Sequence, residues 1–189
     1  VTRVLVGRGS PRSGSSTATT QDGLVQLRSG FTVVDLCDRL TELATSRVGV
    51  SGAFHDLGRV PAARRQARLA SLASPPGSRE LVRHDDQPLP VLLASSPELS
   101  HVLVNRILGQ AFSLPDADRE MLLTTARAWL AHGGSTSATA HELFLHRNTV
   151  RHRLRRLEVV TGRDLAHPAQ AAEVMVALEA ARVLGLRSS

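Results

Sequence analysis

The chain has 189 residues, and 42% of them are hydrophobic, which excludes an intrinsically disordered protein and leaves room for one or two globular domains. All 23 basic residues are arginine and the net charge is +6, so composition favours a polyanionic partner without demonstrating one. The single cysteine excludes an internal disulfide and a cysteine-based zinc site. No apolar run could span a bilayer and no secretory signal is visible, so we expect a cytoplasmic protein.

The N-terminal half carries short β-branched runs that alternate with amphipathic stretches, which is typical of a small α/β layer. Between the first two runs, the Gly-, Ser- and Thr-rich stretch Gly7–Asp22 is interpreted as a flexible loop. Arg64, Arg65 and Arg68 are expected to form a solvated helix face. The predicted strands are Val1–Val6, Leu24–Arg28, Arg47–Ser51 and Glu80–Arg83, and the predicted helices are Thr32–Thr45 and Val60–Ala73.

Three features of this half could suggest enzymatic or metal chemistry, and each is better explained structurally. Gly9 and Gly14 have the spacing of a phosphate-binding loop, but Ser15 stands where such a loop needs lysine. The adjacent side chains of His84–Asp86 cannot converge on one ion and are interpreted as a turn. Cys37 falls on the apolar stripe of its helix and is expected to fill the core. We therefore predict no catalytic residue, no metal site and no cofactor.

The C-terminal half shows only helical periodicity. Asp116 is expected to cap the helix that follows Pro115, and Ser135 or Ser137 to cap the next one after Gly133-Gly134. The predicted helices are Glu98–Gly109, Asp116–His132, the two helices of a helix-turn-helix around Thr139–Leu157, and Ala169–Leu184.

These elements predict an α+β fold, in which an N-terminal small α/β layer precedes an all-α helix-turn-helix domain. The predicted boundaries are 1–95 for the α/β domain, 96–114 for a linking helix and 115–189 for the helical domain.

The stretch TAHELFLHRNTVRHRLRRL, residues 139–157, is predicted to form a short helix, a tight turn and a second helix. At about 100° per residue, Leu154 and Leu157 fall within about 40° of Val150, so these three side chains form a buried stripe. Five arginines and no acid lie between Arg147 and Leu157, whereas a solvated helix usually mixes both signs. His146 is expected to act as an N-cap for this second helix.

Such a one-signed face suits the major groove of double-stranded DNA, because arginine binds guanine edges or phosphates and asparagine pairs with adenine. The alternative is an ordinary solvated face on a bundle helix. In the DNA-binding hypothesis, Asn148, Thr149 and His152 contact base edges, while Arg151, Arg155 and Arg156 hold phosphates. The candidate DNA-binding residues are His146, Arg147, Asn148, Thr149, Arg151, His152, Arg153, Arg155 and Arg156.

The segments LLTTARAWLAHGG, TAHELFLHRNTVRHRLRRLE and TGRDL closely resemble the C-terminal helix-turn-helix of PucR/CdaR-type transcriptional regulators, over about residues 116–185. Residues 46–95 resemble the second half of the degenerate GGDEF-like domain that often precedes this module. Two positions depart from the family pattern. His152 stands where the family often has tyrosine, and Ala138 stands where an acid would complete a capping box.

The resemblance implies a sequence-specific transcriptional regulator that binds paired DNA half-sites as a homodimer and responds to an effector that the sequence does not identify. Residues 1–95 would then serve dimerisation or signal transmission. One rival hypothesis is a protein-interaction module that retains the scaffold without binding DNA. The other is an enzyme, such as a nucleotide cyclase or phosphotransferase, but the chain has no GGDEF sequence, no lysine and no phosphate loop.

Overall fold

The structure is a computed structural model that describes residues 2–9 and 20–186. The chain divides into two compact units. The first comprises Val1–Pro97 with Arg182–Gly185, and the second comprises Glu98–Ala181 with Leu186–Ser189. The fold class is α+β as predicted, with a small sheet followed by a helical region. The three-part domain division, with a separate linking helix, stays a prediction.

The first unit is built on a four-stranded sheet with the order β2-β1-β3-β4. β1 pairs antiparallel with both β2 and β3, and β3 pairs parallel with β4. The strands are β1 (Thr2–Gly9), β2 (Thr20–Leu27), β3 (Val48–Val50) and β4 (Leu81–Arg83).

Pairing between β1 and β2 extends both strands into the stretch predicted to be a loop. Their register runs from Thr2 opposite Leu27 to Gly9 opposite Thr20, so the loop prediction was wrong at both ends. Ladder hydrogen bonds between the two strands outweigh the low strand propensity of this glycine-containing stretch. The rest of that prediction, including Gly14 and Ser15 of the considered phosphate loop, lies outside the described residues.

Helices cover both faces of this sheet, and successive residues of β1 point to opposite faces. Val4 packs with Cys37 of α1, whereas Leu5 packs with Ala67 of α2. Burial raises the pKa of the Cys37 thiol, in keeping with its predicted role as core filler. The helices of this unit are α1 (Val33–Leu43), α2 (Val60–Leu72), which follows a 3-10 turn at Leu57–Arg59, and α3 (Pro88–Ser95).

The second unit contains the helices expected from periodicity, each within a few residues of its predicted bounds. One capping prediction was wrong, because Pro115 occupies the N-cap and Asp116 begins the helix. The Asp116 carboxylate accepts a hydrogen bond from Arg119 at 2.6 Å and still lies at the helix N-terminus, where a negative charge is favourable. The helices are α4 (Pro97–Phe112), α5 (Asp116–Ala131), α6 (Thr136–Glu142), α7 (Arg147–Thr161) and α8 (Pro168–Val183), whose last residues belong to the first unit.

Candidate nucleic-acid interface

The helix-turn-helix consists of α6, a four-residue turn and α7, and α5 packs against both helices. Ser135 is the N-cap of α6, and its hydroxyl accepts a hydrogen bond from the Ala138 N–H at 3.2 Å. Ser135 is therefore the capping serine, and Ala138 supplies no acid to complete a capping box. Ala140 is buried, as expected for a small side chain where two helices approach closely.

The turn between α6 and α7 closes α6 with a Schellman motif. The N–H of Leu145 donates to the carbonyl of Ala140 at 2.9 Å, and the N–H of Phe144 donates to the carbonyl of His141 at 3.3 Å. Phe144 takes the left-handed position of this motif, with φ 53°, where glycine is usual. Its side chain is 94% exposed. Sequence reasoning did not single out this residue.

α7 begins as predicted, with His146 at the N-cap. The ring Nδ1 of His146 accepts a hydrogen bond from the Asn148 N–H at 3.2 Å. α7 ends at Gly162, whose φ of 63° is the left-handed conformation that glycine adopts without steric cost. A side chain thus caps the N-terminus of α7, and a left-handed glycine follows its C-terminus.

The predicted apolar stripe of α7 is buried. Val150 and Leu157 are fully buried and Leu154 nearly so, which fixes the helix by its inner face. The outer face consists of polar and basic side chains up to Arg155, and Val159 follows on the same face with 82% exposure. Its exposed polar and basic members are Arg147, Asn148, Thr149, Arg151, His152 and Arg155, together with the capping residue His146.

Two candidate arginines are instead bound to α5. The Arg156 guanidinium donates to the Asp118 carboxylate at 2.6 Å, and its side chain is 39% exposed. Arg153 is half-buried and donates to the Thr125 hydroxyl at 3.4 Å. No local sequence signal could have shown these contacts, because Asp118 precedes Arg156 by 38 positions and Thr125 precedes Arg153 by 28.

The remaining arginines form a row along the outer face of α7. Arg147, Arg151 and Arg155 are spaced by four residues, a rise of about 6 Å per step. Within residues 2–9 and 20–186, no acidic side chain forms an ion pair with any of the three. Like charges at this spacing weaken an isolated helix by about 0.2–0.5 kcal/mol per pair. The row is therefore a concentrated positive charge that its own helix does not compensate.

Two further features are absent from the described residues. No group of three or more His, Cys, Asp or Glu side chains among them is arranged to hold a metal ion. None of the helices in this part of the chain is long and apolar enough to cross a membrane.

Comparison with known proteins finds a family match for the segment that contains the helix-turn-helix. Residues 122–180 match the family described as the PucR C-terminal helix-turn-helix domain. This segment is therefore similar to a PucR-type helix-turn-helix domain. The resemblance predicted from the HRNTVR stretch is thereby confirmed, and the PucR-type domain comprises α6, α7 and most of α5 and α8.

Relatives of the chain include named regulators. The transcriptional activator PmfR of Paenarthrobacter nicotinovorans is 33% identical over 135 residues, which are 71% of this chain and 28% of that protein. The carbohydrate diacid regulator of Escherichia coli (strain K12) is 36% identical over 85 residues, 44% of this chain and 22% of that protein. The chain thus spans less than a third of either relative, and the PmfR similarity extends beyond the PucR-type domain.

Among solved structures, the chain is similar to the regulator of polyketide synthase expression from Bifidobacterium adolescentis. Their sequences are 21% identical, the match covers 96% of this chain and 84% of that chain, and the TM-score is 0.38. A TM-score this low supports no conclusion about fold or function. The assignment therefore depends on the family match and on the two sequence relatives, one named as a transcriptional activator and the other as a carbohydrate diacid regulator.

Proposed function

We propose that this chain is the DNA-binding part of a sequence-specific transcriptional regulator of the PucR/CdaR type, and that α7 enters the major groove. The observation that carries the proposal is the outer face of α7. It is basic and exposed, and it is held outward by the buried stripe of Val150, Leu154 and Leu157. A helix presented in this way has the shape and charge that a major groove accepts.

The exposed side chains divide into two proposed roles. Asn148, Thr149 and His152 contact base edges, because their side chains carry the donors and acceptors that distinguish bases. Arg151 and Arg155 bind phosphates, and His146, Arg147 and Arg153 flank this surface. Arg156 remains in the phosphate-binding set with a smaller contribution, because Asp118 already neutralises part of its charge.

The proposal extends to the assembly and location of the whole protein. A single module of this size seldom binds DNA tightly, so we propose a homodimer on paired half-sites. We propose that residues 1–95, with their GGDEF-like resemblance, serve signal transmission or dimerisation, and that the regulator acts in the cytoplasm without catalysing a reaction.

A salt titration tests the proposal. Binding of the chain to a labelled random-sequence duplex is followed by fluorescence anisotropy from low to high salt. If arginines of α7 neutralise phosphates, log affinity falls steeply with log salt. The double variant Arg151→Ala, Arg155→Ala is expected to make that slope shallower by about two, because each lost phosphate contact removes about 0.9.

The matched control removes two arginines elsewhere. Arg65→Ala, Arg79→Ala causes the same loss of charge at two exposed positions outside the PucR-type domain and is expected to leave the slope unchanged. Absence of duplex binding at low salt would overturn the proposal and favour the protein-interaction module. Equal slopes for the two double variants would show that α7 is not the DNA-binding surface.

A further inference from the structure

The outward face of α4 is apolar at its centre. Leu99 is 69% exposed and Val102 is 62% exposed, although most large hydrophobic residues of the second unit are buried or half-buried. Helical spacing places Val102 at the middle of the exposed face, opposite a set of buried residues on the same helix. That buried set is Ser100, Val104, Ile107, Leu108 and Ala111.

Two opposite charges flank this apolar centre symmetrically. Glu98 lies four residues before Val102 and Arg106 lies four residues after it, and both side chains are exposed. They are separated by about 12 Å along the helix axis, which is too far for them to pair with each other. Among the residues that the structure describes, neither forms an ion pair with another side chain.

We infer that this face of α4 binds the same face of a second copy of the chain in an antiparallel, two-fold arrangement. In that arrangement Val102 meets Val102 of the second copy, and each Glu98 lies opposite an Arg106. A two-fold contact requires such a self-complementary patch. A parallel arrangement would place like charges opposite each other, and this charge pattern therefore selects the antiparallel one.

The size of the patch predicts how strong this dimer is. α4 has 16 residues and is about 24 Å long. One helix pair of that length buries less than the about 800 Å² per partner of a typical stable interface. The free chain therefore dimerises weakly, and adjacent half-sites on DNA strengthen the contact by raising the effective concentration. The inference rests on the proposed function, because it supplies the interface for the homodimer that was proposed to bind paired half-sites.

Charge reversal tests the contact in the absence of DNA. Sedimentation equilibrium over a wide concentration range gives the dimer dissociation constant of the chain and of three variants. Glu98→Arg and Arg106→Glu alone are each expected to weaken the dimer about tenfold, because they place like charges across the two-fold axis. The double variant Glu98→Arg, Arg106→Glu is expected to restore it. An equimolar mixture of the two single variants is expected to form a heterodimer of wild-type strength.

Arg79→Glu is the control, because it changes the net charge as Arg106→Glu does at an exposed position on the other unit. The inference is overturned if the wild-type chain stays monomeric at every concentration, if single reversals leave the dimer unchanged, or if the double variant remains as weak as the single ones. Binding of the same variants to the random-sequence duplex is measured as well, so that failure of the α4 contact can be distinguished from failure of the proposed function. Any of these overturning results, obtained while the chain still binds the random duplex, refutes the α4 contact and leaves the proposed function intact.

Discussion

Phe144 shows how a single residue can be held in an unfavourable backbone conformation. Among the described residues, it is the non-glycine residue that has a positive φ. The residue is 94% exposed, so burial of its ring contributes almost no stabilising free energy. The left-handed conformation costs an L-residue about 1–2 kcal/mol. The two hydrogen bonds that close α6 and the packing of α7 keep the residue there.

We expect Phe144→Gly to raise the free energy of unfolding by about 1 kcal/mol, because glycine adopts this φ without steric strain. Urea denaturation followed by circular dichroism measures the change. Phe144→Ala removes the same ring but keeps the strain, and it should leave stability nearly unchanged. Equal stabilisation by alanine and glycine would mean that the ring, and not the backbone, is the source of the cost.

Asp22 changes the interpretation of the basic face on α2. Its carboxylate accepts hydrogen bonds from Arg64 at 2.6 Å and from Arg68 at 2.9 Å, so two of the three arginines on this exposed face also bind β2. Burial alone would raise the pKa of Asp22, but the hydrogen bonds and charges of these arginines outweigh it and lower the pKa below its ordinary value. A lowered folded-state pKa stabilises the fold above the unfolded pKa, near 4, and this contribution is lost as the pH falls through the folded value.

We therefore expect Asp22→Asn to lower the free energy of unfolding by about 1 kcal/mol at neutral pH, since both arginines are half exposed and solvent weakens the pairs. The deficit should begin to shrink below about pH 4, where the unfolded carboxylate takes up a proton, and should vanish as the pH falls through the lowered folded-state pKa of Asp22. Urea denaturation at neutral and acidic pH measures it. Asp38→Asn, at an exposed position on α1, is the control and should show no comparable deficit. A deficit of constant size at all pH values would contradict the ion-pair explanation.

At the scale of elements, Gly49 sets how closely α2 approaches the sheet. A Cβ at this position would lie 2.9 Å from the Ser71 Cα and would also meet the carbonyl oxygen of Ala67 and the Ser71 N–H. These atoms are backbone and cannot rotate away. Because Gly49 has no side chain, the backbone of the buried strand β3 packs directly against the backbone of α2.

Gly49→Ala is expected to lower the free energy of unfolding by about 3 kcal/mol, because overpacking at a backbone contact forces α2 away from β3. Thermal and urea denaturation measure the loss. Gly23→Ala on β2 is the matched control, because an added Cβ there meets nothing within 4 Å. Its effect should stay within about 0.5 kcal/mol, as for most surface substitutions. Similar losses at both positions would show that strand glycines matter here for another reason.

The helix α7 shows which parts of an element are predictable. Its buried stripe and its capping residue followed from the sequence, because residues three or four apart on a helix share a face whatever surrounds them. The hydrogen bonds of Arg153 and Arg156 could not be predicted from the sequence, because their partners Thr125 and Asp118 lie on α5. The helix α3 was also not assigned, because two prolines within its first turn obscure the periodicity of so short a segment.

At the scale of the whole molecule, the net charge of +6 indicated a polyanionic partner but not where it binds. The fold distributes that charge unevenly. Arg64, Arg68 and Arg156 pair with acids, whereas the arginine row of α7 has no acid partner in the described part of the chain. Within α7, the candidate surface for DNA thus consists of the arginines that folding leaves without an acidic partner.

The sequence by itself determined the α+β class, the approximate bounds of most helices, the helix-turn-helix and the buried stripe that orients α7. These depend on local periodicity, on capping residues and on the HRNTVR stretch, all of which act within a few residues of each other. Only the tertiary structure decided the strand order, the close approach of α2 to Gly49 and the pairing of individual arginines with distant acids. Such contacts join residues tens of positions apart, and their free energies depend on distances and burial that a linear pattern does not contain.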